Sequence, residues 1–203
     1  MPVLGKTRKD VVSEFRRTEL LTAARTVFAK KGFHDATIDD IAESAEVAKG
    51  TVYLYYKSKR EIYLEALRYG IELLNSELNV KAAGPGTSLE RLRLLAATKM
   101  EFFEENRDFF NIYYSELGKL PSHPAGLELV KDLYFKQAKI FERLLREGIR
   151  RREIRSLNVE KMAFAIADLT RDVTTQRVLG FSKTSMKSDI DFVVDFISKG
   201  IAR

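Results

Sequence analysis

The chain has 203 residues, 45% of them hydrophobic, with 35 Lys plus Arg against 29 Asp plus Glu and a formal net charge of +6. That is enough apolar matter to bury a core in one large domain, or in a small domain joined to a larger one, and it excludes general disorder. With no cysteine there is no disulfide framework, no Cys-ligated zinc and no thiol nucleophile, as expected of a reducing cytoplasm. The start MPVLGKTRKD has no apolar signal core and no run of 18 uncharged apolar residues occurs, so neither secretion nor membrane spanning is expected. Residues 1–60 hold 12 Lys plus Arg and 8 Asp plus Glu. Most of the basic surplus, and the lean toward an anionic partner, therefore lies at this end.

Apolar residues recur at three and four rather than alternating, which predicts an all-α fold. The first long helix is expected over Val11 to Lys31, with Leu20, Leu21, Ala24, Val27 and Phe28 as its apolar stripe and Gly32 as its C-terminal cap. TIDD, from Thr37, reads as a capping box that opens a short helix from Ile38 to Ala45, with Ile41 and Ala42 inward. The next helix, in VAKGTVYLYYKSK, can run only to about Tyr56, because Ser58 and Glu61 in SKRE form another box and start a helix to about Leu78. The Pro/Gly joint AAGPGTS follows, and then helices near Ser88 to Glu105, Arg107 to Leu117, Gly126 to Arg151, Asn158 to Leu179 and Ser185 to Ala202.

Two short helices on a tight turn, backed by a longer helix on each side, make a helix-turn-helix plan, in which the second short helix enters the DNA major groove. Val52 and Tyr56, four apart, are expected to hold that helix to a small core, leaving Lys49, Gly50, Thr51, Tyr53 and Tyr55 outward. Gly50 weakens a helix by ~1 kcal/mol relative to Ala, a cost that makes sense if a phosphate must come close to its backbone. Lys57 and Lys59 flank the start of the following helix, whose free amides favour a phosphate.

The span Arg17 to Leu67 closely resembles the DNA-binding domain of the TetR family of transcriptional regulators. The match lies in AARTVFAKKGF, in TIDDIA, in KGTVYLYY and in the KSKREIYL entry to the fourth helix. The resemblance implies a helix-turn-helix domain over residues 1–57, with its motif at about 37–56. A long helix would join it to a C-terminal helical bundle over 58–203 for effector binding and dimerisation. It implies phosphate contacts from Thr37, Tyr53 and Lys59 and groove contacts from Lys49, Gly50, Thr51, Leu54 and Tyr55. Tyr55 stands where many members have His, and Tyr56 where most have Phe. The second difference puts a hydroxyl at the edge of the core that needs a partner.

Ten of the thirteen phenylalanines lie beyond residue 100. Most are expected to be bundle core, and some to line an apolar effector cavity, for which Phe102, Phe109, Tyr113, Leu117, His123, Phe135 and Phe164 are the candidates. A lipophilic or aromatic small molecule is the effector expected. Apolar stripes on the last two helices, about 158–179 and 185–202, are expected from the resemblance to pair with a second copy as a homodimer on a pseudo-palindromic operator. Glu101, Glu104, Glu105 and Asp108 form a helical acidic stripe, expected to be a solvated face, and RRREIR, Arg150 to Arg155, suits a helix C-terminus. No cofactor or metal is expected. The predicted function is a ligand-responsive, DNA-binding transcriptional regulator, a repressor released by its effector. Its rivals are a constitutive or nucleoid-associated DNA-binding factor and a helical-bundle enzyme; against the enzyme stand the lack of a phosphate-binding Gly-rich loop and of HExxH.

Overall fold

The computed structural model of the chain describes residues 7–118 and 124–201, apart from the side chains of 116–118, 124–127, 129–130 and 132–133. Its helices are α1 Arg8–Asp35, α2 Ile38–Ser44, α3 Lys49–Tyr55, α4 Lys59–Ala82, α5 Ser88–Glu105, α6 Arg107–Gly118, α7 Pro124–Arg150, α8 Val159–Val178 and α9 Met186–Ile201. No strand occurs among the described residues, so the all-α expectation holds. The chain forms two compact units, Met1–Gly70 with Asp108–Leu120, and Ile71–Arg107 with Pro121–Arg203.

In the first unit α1 begins at a capping box: the Thr7 hydroxyl accepts from the Asp10 amide at 3.2 Å, and the Asp10 carboxylate accepts from the Thr7 amide at 2.9 Å. At Gly32 the backbone turns to φ 75°, a conformation that favours glycine, and the helical path breaks there. Phe33 then folds back against Phe28 and Tyr63, with ring centroids 6.1 and 4.9 Å away. The TIDD box closes as predicted, with Asp40 N to Thr37 Oγ1 at 3.1 Å and Thr37 N to Asp40 Oδ2 at 2.9 Å.

Val52 and Tyr56 are buried together with Leu20, Phe28 and Ile41. Burying a side chain of this size contributes ~1.5–3 kcal/mol, which offsets the weakness of a helix too short to form alone. Helix α6 joins this unit through a two-pronged ion pair on α1, Arg25 Nε to Asp108 Oδ2 at 3.1 Å and Nη2 to Oδ1 at 3.3 Å. It also passes so close to α4 that a Cβ on Gly70 would lie 2.3 Å from the Phe109 ring.

In the second unit α7 and α8 pack together, and α5 lies against α7, α8 and α9. Contacts distant in sequence close the helix ends. Glu153 accepts from the Ser88 amide at 2.6 Å, Arg91 pairs with Glu147 at 2.5 Å, and Arg155 donates to the Gly200 carbonyl at 2.9 and 2.8 Å. The basic run thus does more than suit its own helix end, because Arg155 caps the C-terminus of α9. The acidic stripe is a solvated face at Glu101 and Glu105, which are exposed, but not at its other two residues. Glu104 pairs with Arg107 and lies 3.8 Å from the Arg177 guanidinium, while Asp108 is bound by Arg25. Among the described residues no group of three His, Cys, Asp or Glu could hold a metal, and no helix is long and apolar enough to cross a membrane.

Candidate nucleic-acid interface

Part of the outward side of α3, and the turn after it, engages no other side chain among the described residues. Leu54 is 81% exposed and Tyr53 48%, and the Tyr53 hydroxyl and the Lys57 ammonium make no hydrogen bond among the described residues. Gly50 is exposed, and a Cβ built on it would meet nothing within 4 Å. No internal contact requires glycine there. Thr51 is partly exposed.

The other predicted site residues are held by neighbours. The Lys49 ammonium donates to Asp39 Oδ2 at 2.7 Å, and this carboxylate holds its pKa above the ordinary lysine value. Thr37 is exposed, with its hydroxyl engaged in the cap of α2. Tyr55 is half-buried beneath Arg17, whose guanidinium carbon lies 5.5 Å from the Tyr55 ring centroid and 5.9 Å from that of Tyr56. Burial pushes the Tyr56 phenol up, and Arg17 opposes that shift as the partner its hydroxyl needs.

Lys59 has an internal role. Its ammonium donates to the His34 and Ala36 carbonyls at 2.9 and 2.8 Å and sits 4.8 Å from the Phe33 ring centroid. It therefore ties the end of α1 to the start of α4. The joint is tightened by Glu61, which accepts from the Lys57 amide at 2.6 Å. Sequence reasoning missed Arg17, Asp39 and the inward turn of Lys59, since each depends on a partner 10 to 39 residues away that only folding brings near.

The effector candidates are dispersed. Phe109 and Tyr113 are core residues of the first unit. In the second unit Phe102 is buried, while half-exposed Phe135 meets Phe164 edge-on at 5.6 Å and Tyr134 stacks on Phe164 at 5.1 Å. The side chain of Leu117 and the whole of His123 lie outside the described residues.

Comparison with known proteins settles what kind of chain this is. Residues 20–66 match the family described as bacterial regulatory proteins, tetR family, and residues 85–175 match the tetracyclin repressor-like C-terminal domain. The HTH-type transcriptional repressor KstR2 of Mycobacterium tuberculosis is 31% identical over 156 residues, covering 76% of this chain and 78% of that protein. The chain belongs to the TetR family. It is accordingly a DNA-binding transcription regulator and not an enzyme. This TetR-family chain is also 26% identical over 191 residues to the fatty acid metabolism regulator protein of Bacillus subtilis, covering 90% of the chain and 94% of that protein. Its fold matches FadR from Bacillus subtilis, solved in complex with stearoyl-CoA, at a TM-score of 0.78 and 22% identity, over 89% of this chain and 96% of that one.

Proposed function

We propose that this regulator is a homodimeric repressor of genes of lipid metabolism, which binds a pseudo-palindromic operator and is released by an effector carrying a long acyl chain. The observation that carries the DNA reading is the outward side of α3 and the turn after it, where Gly50, Tyr53, Leu54 and Lys57 are exposed and the Tyr53, Leu54 and Lys57 side chains have no hydrogen-bond or ion-pair partner among the described residues. An α-helix fits the major groove; Thr51, Leu54 and Tyr55 would face base edges, Gly50 would admit a phosphate, and Thr37, Lys49, Tyr53 and Lys57 would meet the backbone. Lys59 acts by holding the joint beneath them, and any phosphate contact from it shares donors already engaged.

The dimer reading rests on α8 and α9. Met162, Ala165, Leu169, Phe196 and Ile197 line a shallow apolar cleft, and Phe192 and Phe196 are both more than half exposed. Two reading heads on a two-fold axis match half-sites one helical turn apart. The effector class is supported by two relatives, a fatty acid metabolism regulator and a FadR bound to stearoyl-CoA. Release requires that the effector favour a conformation in which the heads no longer fit the half-sites.

Fluorescence anisotropy on DNA flanking the gene tests this reading. Tight, salt-sensitive binding relieved by palmitate or palmitoyl-CoA is expected, with dimer mass by sedimentation at micromolar concentration. Operator affinity that ignores every acyl ligand the protein binds would replace this reading with that of a constitutive DNA-binding factor. A monomer mass would remove the dimer.

A further inference from the structure

In the second unit Lys99, on α5, is 3% exposed, yet its ammonium donates only one hydrogen bond, to the Ala167 carbonyl of α8 at 2.8 Å. An ammonium has three protons to donate, and no carboxylate lies within ion-pair distance of it among the described residues. The nearby charges are committed to one another. Asp168 accepts from the Tyr134 hydroxyl of α7 at 2.9 Å and pairs with Arg171 at 3.0 Å, and Asp172 pairs with Arg171 at 3.1 Å. Gln137, one turn along α7 from Tyr134, is 2% exposed, and its Nε2 has no hydrogen-bond partner among the described residues.

Lys99 thus reaches α8 at Ala167, and Tyr134, one turn from Gln137 on α7, reaches α8 at the adjacent Asp168. Neither the Lys99 ammonium nor the Gln137 amide nitrogen has its full set of acceptors among the described residues. Buried donors normally have one, and a buried ammonium is costly unless compensated. Aromatic residues neighbour both donors along their helices: Phe102 and Phe103 come one turn after Lys99 on α5, and on α7 Tyr134 and Phe135 precede Gln137 and meet the Phe164 ring of α8.

We propose that Lys99 and Gln137 anchor the acyl oxygen of the effector within the second unit, as a carboxylate or as a thioester carbonyl, with the hydrocarbon chain on the neighbouring aromatic rings. This deepens the lipid-effector reading and rests on it. It assigns Lys99 to the ligand and leaves the DNA surface untouched. Burial holds the Lys99 ammonium down to about 7, with Arg171 adding to the shift and Asp168 and Asp172 opposing it. A carboxylate arriving beside it at pH 8 therefore brings a proton in from solvent.

Titration calorimetry with palmitate and with palmitoyl-CoA on wild type, Lys99→Met and Gln137→Leu decides the matter. Lys99→Met is expected to weaken the probe that binds wild type at least tenfold, and Gln137→Leu several-fold. Both variants should keep wild-type operator affinity without probe and a wild-type helical circular dichroism spectrum. If palmitate is the ligand, its binding heat at pH 8 depends on the ionisation enthalpy of the buffer, a dependence that disappears in Lys99→Met. If the thioester alone binds, the affinity losses remain the test. Wild-type affinity in both variants overturns the anchor and leaves the lipid-effector reading standing. A wild-type chain that binds neither probe overturns both.

Discussion

The two units keep their unsatisfied chemistry in opposite places. In the first, the interior is settled: Arg25 has Asp108, Lys59 has two carbonyls, and the caps at Thr7, Thr37 and Ser58 close over three residues. What has no side-chain partner among the described residues, the Tyr53 hydroxyl, Leu54, the Lys57 ammonium and the bare backbone at Gly50, points outward. In the second unit the outside is laced with exposed ion pairs such as Arg146 with Glu142 and Lys199 with Asp195, while Lys99 and Gln137, together with single atoms of Asn75, Ser88, Arg91, Glu104 and Arg177, keep unmet polar groups inside. A surface that reads a partner needs such outward groups, and a core that is to take up the proposed effector needs such inward ones.

The largest effect should come from breaking the settled interior. Arg25→Ala leaves Asp108, among the described residues, with only the Phe109 amide at 2.7 Å as partner in a mostly buried position. A loss of about 3 kcal/mol is expected, measured as a lower urea midpoint. A variant within roughly 0.5 kcal/mol of wild type, the range of a surface substitution, would mean that the pair does not hold α6 to α1.

Replacing the unsettled cation should act in the other direction. In the unfolded chain Lys99 keeps its proton to about pH 10.5, whereas in the folded protein it releases it near pH 7. Between those values the unfolded state binds more protons, so this group's contribution makes stability rise with pH. Below about pH 7 both states are protonated and the full cost of the buried charge remains. Lys99→Met should therefore melt several degrees above wild type at pH 6, with the gap closing toward pH 10, as followed by thermal melts across that range. Arg171, Asp168, Asp172 and Tyr134 are present in both proteins, so the difference between the two curves isolates Lys99. A gap of constant size would show that packing, not charge, sets it.

The same contrast explains what could be read in the sequence. Signals that act over three or four residues were legible: the TIDD and SKRE boxes, the Gly32 break, the Pro/Gly joint, and the pairing of Val52 with Tyr56. The box at Thr7 and Asp10 obeys the same rule as the one at Thr37, and it places the start of α1 three residues before the apolar stripe suggests. Arg25 with Asp108 lies 83 residues apart in sequence, and Lys99 with Ala167 68 apart. Neither can be seen in periodicity, where Arg25 and Lys99 look like any solvated cation. Lys59 was legible as a cation at a helix start, but its engagement with the end of α1 depends on the turn that Gly32 makes. In the second unit the aromatic residues were evident and their grouping was not: Phe135 and Phe164 meet, whereas Phe109 and Tyr113 belong to the other unit.

The smallest predicted change in stability is also the sharpest test of the outward surface. Within the chain Gly50 is a defect: it weakens α3, it has no positive φ to justify it, and an added methyl would meet nothing within 4 Å. Gly50→Ala should therefore raise stability by up to ~1 kcal/mol. If the bare backbone is there to let a phosphate approach, the same methyl should lower operator affinity at least tenfold, about 1.4 kcal/mol of binding. Lys57→Gln should differ in kind, weakening all DNA sequences alike and reducing the slope of log affinity against log salt by about 0.9, the change expected when one phosphate is no longer neutralised. A Gly50→Ala protein that is both more stable and fully able to bind operator would show that α3 does not bring its backbone against DNA at that residue. A protein that gains stability and loses operator ties the exception in the sequence to the partner outside it.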